Sequence, residues 1–309
     1  MTRPDPIAAG LIAGYLLDHL LGDPRRGHPV AVFGSWAERV ERVLHRPGRG
    51  AGVAATVTTL APLAAAGLAA RRLGPTGLVV ATSAVTWAAL GGTSLAREAG
   101  AVHDLLAAGD LPAARVRVRH LVGRHTDDLS APEVARAAVE SVAENTSDAV
   151  VGTLVWGAAL GPLGVLLHRG ANTLDAMWGH RSERYASFGW SAARLDDLLG
   201  WAPARVTVLA TAAAAGAAGV PPSSVVRTAL TDGRDHPSPN AGPVEAGFAA
   251  ALGVRLGGRN DYAGQVEERG LLGDGPPPTI ADVPRASALA DRVGMVTLAA
   301  VVLLRSLRR

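Results

Sequence analysis

Residues 51–70 read AGVAATVTTLAPLAAAGLAA and residues 73–96 read LGPTGLVVATSAVTWAALGGTSLA, with only Arg71 and Arg72 between them. Each run is uncharged for about the 20 residues that a helix needs to cross a hydrocarbon core. A helix satisfies its own backbone polar groups in lipid, so two such runs joined by a basic turn predict a helical hairpin across a membrane. Residues 149–167 (AVVGTLVWGAALGPLGVLL) and 206–226 (VTVLATAAAAGAAGVPPSSVV) form a third and a fourth long run. A shorter run, Val293–Leu304, ends in RSLRR, and residues 7–17 add another membrane-associated helix. The predicted fold is all-α. It is a polytopic helical membrane protein of one domain, 1–309, with four to six membrane-embedded helices.

Composition agrees with that class. Of 309 residues, 48% are hydrophobic and only 4% aromatic, so the apolar content is mostly Ala, Val and Leu. No lysine and no cysteine occur, and every fixed cation is Arg. This excludes a P-loop lysine, a Schiff base, disulfides and thiolate chemistry. Arg remains available for carboxylates and phosphates, which it grips bidentately. The arginines alternate with acids and lie between apolar runs, which argues against a nucleic-acid surface. No cleavable signal peptide is read at the start, because Asp18 and His19 interrupt the first apolar run.

The polar segments 97–147, 169–205 and 227–290 are expected to form the functional site. Residues 97–147 read as amphipathic helices, with a capping-box pattern at Ser130–Glu133. Residues 227–290 are rich in Pro, Gly and Asp and predict loops with short helices. The run 149–167 raises a topological problem. If it spans, the polar segments on its two sides face opposite compartments. Its glycines and Gly161-Pro162 predict instead a broken or re-entrant helix, whose ends can share one site.

Charged groups at membrane depth are costly and usually face a cavity that does chemistry or transport. Glu140, Glu144 and Asp148 repeat at i, i+4 and i+8, within about 80° on a helix. Such a stripe suits Mg²⁺, which takes oxygen ligands and bridges substrate phosphates. Glu144, Asp148, Asp196 and Asp197 are the expected metal-binding acids. Glu140, Glu144, Asp175 and His236 are the expected catalytic groups. Asp23, His28, Asn145, Asn172, Arg181, Arg184, Arg194, Arg234 and Asn240 are the expected substrate contacts. The loop DGRDHPSPNAG (232–242) reads as a rigid polar loop able to close over a ligand.

Together these segments resemble the CobD/CbiB family of membrane-bound cobalamin biosynthesis proteins, the adenosylcobinamide-phosphate synthases. The resemblance is carried by LLDHLLGDPRRGHPV (16–30), RAAVESVAENTSDAVV (136–151), NTLDAMWGHRSERYASFGWSAARLDDLLGWAPAR (172–205) and SPNAGPVEAGFAAALGVRLGG (238–258). It implies a multi-pass protein of the cytoplasmic membrane that uses ATP and Mg²⁺. The implied reaction joins a propionate carboxyl of adenosylcobyric acid to 1-amino-2-propanol phosphate, or to aminopropanol, through an amide bond. The implied partners are that corrinoid, the amino alcohol and the lipid bilayer. Oligomeric state and the sidedness of the site stay open. The alternative reading is a transporter for a corrinoid or another anion, since polar groups around a broken helix suit that as well.

Overall fold

The computed structural model of the chain describes residues 5–24, 27–180, 182–262 and 265–307, with backbone alone over 260–262 and 265–268. The helices in chain order are α1 (Pro6–Leu21), α2 (Pro29–Leu44), α3 (Arg49–Ala70), α4 (Pro75–Ala89), α5 (Gly92–Ala107), α6 (Leu111–Val118), α7 (Ala131–Asn145), α8 (Gly152–Leu160) and α9 (Pro162–Trp178). They continue as α10 (Trp190–Gly216), α11 (Pro222–Thr231), α12 (Ala241–Leu252) and α13 (Asp282–Leu307). A π-helical turn occupies Thr146–Val151 and a 3-10 turn Asp232–Asp235. Strands β1 (Leu256–Tyr262) and β2 (Gln265–Leu272) pair antiparallel.

Four helical stretches are long and apolar enough to cross a membrane: Arg49–Ala70, Pro75–Ala107, Trp190–Gly216 and Asp282–Leu307. The all-α membrane class therefore holds, with two differences in detail. The span expected at 206–226 begins at Trp190, so Arg194, Asp196 and Asp197 lie in its first turns. It ends at Gly216, because Pro221 and Pro222 lie just beyond and open α11. The segment 227–290 is more ordered than its composition predicts and contains the buried helix α12 and the β-hairpin. Glycines and charges along β1 and β2 hide any two-residue alternation. The run 149–167 does not form one helix, as its glycines and Gly161-Pro162 predict.

That run turns back on itself. Gly161 sits at φ 65° and ψ −146°, which only glycine adopts without strain, and Pro162 opens α9. A Cβ at Gly164 would strike the Trp156 carbonyl, and one at Gly152 would strike the His168 ring. The two helices thus lie antiparallel and in close contact. With nine residues, α8 is about 14 Å long, roughly half of a 30 Å hydrocarbon core.

By chain contacts the molecule divides into two compact units. Unit 1 holds Met1–Gly91, Asp148–Pro203 and Leu298–Arg309; unit 2 holds Gly92–Ser147 and Ala204–Thr297. In unit 1, α1 packs on α4 through Gly10 and Gly14, where a Cβ would strike Thr82 and Thr86. Small residues let helix backbones approach closely where lipid offers no hydrophobic drive. One end of the unit gathers Gly161, Ile7, Leu163 and Gly67, and there Arg305 donates to Asp5 and to the Ala158 carbonyl. The α3–α4 turn follows directly from that end.

The other end of unit 1 is built around Trp178 and Phe188, packed on Ala37, Val40, Ala55 and Leu174. Beneath them Glu41 is nearly enclosed. It accepts from Trp178 Nε1 at 3.1 Å, Tyr185 Oη at 2.9 Å and Arg184 Nη2 at 2.8 Å. Burial works against the Glu41 charge, but the bonds from Arg184, Tyr185 and Trp178 prevail and hold its carboxyl below the usual range. In unit 2, α7 starts at its capping box, where Glu133 Oε2 accepts from Ser130 N at 2.8 Å.

Two outcomes are expected. The chain has no cysteine, so single-cysteine reporters are clean: Leu73→Cys should label from one side of the membrane, Pro47→Cys and Ser182→Cys from the other. Labelling of all three from one side would refute the two-ended layout. A depressed carboxyl stabilises the fold above its ordinary pKa of 4.5, and this contribution is lost as pH falls through the folded value. Glu41→Gln should therefore lower the melting temperature at pH 7 by roughly 2–4 °C. The modest size reflects the solvent exposure of Arg184. The difference from wild type should shrink as pH falls below 4.5 and vanish only below the depressed folded value, as checked by thermal melts across pH.

Candidate functional site

The reversal at Gly161 brings the two ends of the 148–172 segment together. Asn172 Nδ2 donates to Asp148 Oδ2 at 3.2 Å. Asn172 also hydrogen-bonds the Asp196 carboxylate on α10, and its Oδ1 accepts from Arg169 Nη1 at 3.1 Å. A single amide thus ties three charged groups. Asp148, Asp23 and Asp196 all act on the Arg169 charge, and Asp148, Asp175 and Asp197 act on Asp196. Trp156 Nε1 donates to the Leu199 carbonyl at 2.9 Å and fixes α10 alongside the hairpin.

The rest of this layer is held by backbone geometry. His28 Nδ1 accepts from Val30 N at 3.2 Å and caps α2. That leaves the proton on Nε2, 3.3 Å from Asp23 Oδ1, by inference from the bonding pattern. A Cβ at Gly179 would collide with the Asp175 carboxylate, so a side chain there would displace it. Arg194 pairs with Asp197 at 3.4 Å on an exposed face. Arg184 is engaged with Glu41 rather than with this acid layer. Arg181 lies outside the described residues.

The acid stripe expected on α7 is not continuous. The π-turn at Thr146–Val151 interrupts the four-residue repeat after Asn145. Glu140 belongs to unit 2, where it is buried and fully engaged. Its oxygens accept from Arg124 at 2.9 Å, Arg136 at 3.2 Å and Gly257 N at 2.9 Å. Glu144 is exposed on α7. Asn145 Nδ2 donates to the Ser141 carbonyl at 2.9 Å. Among the described residues no three His, Asp or Glu side chains stand at the spacing of a preformed metal site. Within unit 1, Asp148, Asp196 and Asp197 are therefore not a closed cage.

Unit 2 carries a second charged cluster under the loop 232–242. His236 is buried, its Nδ1 accepts from Ser238 N at 3.1 Å, and its Nε2 lies 3.8 Å from Glu245 Oε1. Arg269 Nη1 approaches the same oxygen at 3.9 Å. Glu245 is fully enclosed, which pushes its carboxyl well above the usual range. Glu140 and Glu144 act in the same direction, and Arg269 and Arg124 against it. Asn240 Oδ1 accepts from Arg205 at 3.1 Å, and Asp232 Oδ2 from Gly273 N at 2.9 Å. Arg234 is exposed. His236 faces inward beneath the loop.

Four participants went unnoticed in the sequence: Arg169, Glu41, Glu245 and Arg124. Arg169 had a signal, as a charge closing an apolar run, whereas Glu41, with Glu38, Arg39 and Arg42 beside it, reads as one more charge on an amphipathic helix. Glu245 and Arg124 had none.

Comparison with known proteins covers both clusters. Residues 11–290 match the family described as CobD/Cbib protein. The chain is 46% identical over 301 residues to the cobalamin biosynthesis protein CobD of Mycobacterium tuberculosis, covering 96% of each chain. It is 45% identical to CobD of Chromobacterium violaceum, covering 94% of this chain and 95% of that one. It is 39% identical to CobD of Rhodobacter capsulatus, covering 92% and 93%. No solved structure matches. The matched span takes in the acid layer around Asn172 and the buried cluster around Glu245, and the chain belongs to the CobD/CbiB family of cobalamin biosynthesis proteins.

Proposed function

We propose that this protein is an ATP-dependent amide ligase of the cell membrane. It joins a propionate carboxyl of adenosylcobyric acid to 1-amino-2-propanol phosphate. The observation that carries this reading is the gathering of Asp148, Asp175, Asp196 and Arg169 about Asn172 at the open end of the α8–α9 hairpin. A carboxylate is a poor electrophile. Its oxygen first attacks the γ-phosphorus of ATP, ADP leaves, and an acyl phosphate forms. The amine nitrogen then attacks the acyl carbon, and inorganic phosphate departs. The proton lost by the ammonium passes to a carboxylate, for which Asp175 is the best placed of the expected groups.

The residues present fit Mg²⁺ delivered with ATP. This ion usually keeps several waters and takes one or two carboxylates plus substrate phosphates, so it needs no closed protein cage. Asp148 and Asp196, with Asp197 beside them, would hold it, and it would neutralise the triphosphate. Arg169 keeps this acid layer from being uniformly negative, so that it tolerates anionic substrates. Glu140 and His236 are better read as supports of unit 2, because both are buried and engaged. Family membership favours this reading over the transporter.

Purified protein in detergent should convert cobyric acid, ATP and aminopropanol phosphate to cobinamide phosphate with one ADP per amide. No product with either amine would sink the ligase reading. Asp175→Asn should lower turnover by about 10²–10⁴ with normal expression and melting. Glu140→Gln should behave differently and destabilise the fold by on the order of 3 kcal/mol, since it leaves buried arginines uncompensated. A fully stable but inactive Glu140→Gln would return Glu140 to the chemistry.

A further inference from the structure

A cavity of about 90 Å³ opens in unit 1 among α2, α3, α4 and α9. Its wall is apolar, formed by residues such as Phe33, Leu63, Val85, Ala88 and Val165. Arg169 is the one charged side chain among the described residues that line it. That guanidinium is under-used. Its Nη1 donates to the neutral oxygen of Asn172 at 3.1 Å, while its Nε is buried with no acceptor. A buried donor left in that state costs free energy until an acceptor arrives.

The missing acceptor has a defined chemistry. A guanidinium edge is matched by a carboxylate, which takes two parallel bonds. One water needs about 10–15 Å³ of such space, so the cavity of about 90 Å³ has room for a chain of several heavy atoms. That is enough for two methylenes and a carboxylate, and too little for a nucleotide or a macrocycle. Methylenes would meet the apolar wall, and the carboxylate would meet Arg169. Arg169 also contacts Asn172, so the bound carboxylate lies beside the acid layer.

We infer that this cavity is a binding site for a short alkyl carboxylate held by Arg169. The inference rests on the ligase reading in one respect: there the occupant is the propionate arm that becomes the amide. Arg169 is then the residue that presents the reacting carboxylate, and the cavity wall sets the length of arm accepted.

Butyrate and 1-butanol, equal in chain length and different in charge, test the site directly. Butyrate should raise the melting temperature of the detergent-solubilised full-length protein, and 1-butanol should not. Arg169→Gln should weaken butyrate binding at least tenfold, Arg169→Lys less, and the cavity-filling Ala88→Leu at least tenfold. Equal effects of the two probes, or butyrate binding by Arg169→Gln as tight as by wild type, overturn the proposal. Should Arg169→Gln not fold, Ala88→Leu with a normal melt decides alone. Equilibrium dialysis with cobyric acid and cobinamide, which carries an amide in place of the acid, provides the second arm. Wild type should prefer the free acid at least tenfold, and Arg169→Gln should lose that preference. Binding of butyrate but of neither corrinoid would sink the ligase reading and leave the carboxylate site standing.

Discussion

A helix that reverses direction in apolar surroundings leaves its last carbonyls without partners, and the fold of unit 1 depends on how this is met at Gly161. Gly161 N closes back on the Gly157 carbonyl at 2.8 Å. Arg305 Nη1 reaches the Ala158 carbonyl at 2.7 Å, and Asp5 neutralises that arginine at 2.9 and 3.0 Å. Pro162 removes a donor that the first turn of α9 could not satisfy. A cation at a helix C-terminus is also favoured by the peptide dipoles. Two residues 300 positions apart in sequence thereby stabilise a turn at the middle of the chain. Were the turn straightened, Asp148 and Asn172 would lie at opposite ends of one long helix.

The same constraint explains how much was legible beforehand. The runs 51–70 and 73–96 announced themselves because lipid demands length and uniform apolarity, which one chain segment displays by itself. The Ser130–Glu133 box and the Gly161-Pro162 break were legible for the same reason, being local rules of helix ends. The acids Asp148, Asp175 and Asp196 were legible as charges beside apolar runs. What stayed hidden is tertiary. Arg169 reads in sequence as the close of an apolar run, and only the return of α9 shows that it serves Asn172 and a cavity. Glu41 reads as one more charge on an amphipathic helix, and only the arrival of Trp178, Arg184 and Tyr185 makes it a buried hub. The π-turn after Asn145 has no sequence signal, yet it breaks the acid stripe that the four-residue spacing implied.

The two units treat buried charge differently. In unit 2, Glu140 is answered by Arg124, Arg136 and a backbone amide, a nearly saturated set whose members are costly to remove and of little further use. Glu245 keeps Oε1 3.8 Å from His236 Nε2 and 3.9 Å from Arg269 Nη1, and burial there favours the protonated acid. In the acid layer of unit 1, Asp23, Asp148, Asp175, Asp196 and Asp197 outnumber the described arginines beside them, Arg169 and Arg194. Such an excess is unfavourable in isolation, and it is relieved when a cation binds.

That difference separates scaffold from chemistry without appeal to any one residue. Saturated pairs hold helices in register and gain nothing from a ligand. An acid layer in excess, beside an arginine with an unanswered donor, gains from a cation and from a carboxylate at once. On the proposed reading, the ion carried by ATP and the carboxylate of the acid substrate would supply those two charges. Whatever coupling there is between the two must be reciprocal, each changing the other's affinity by the same factor. The protein needs no thiol and no lysine for this. Arginine stays charged in apolar surroundings where lysine readily gives up its proton, and it meets a carboxylate through a planar fork rather than a point charge.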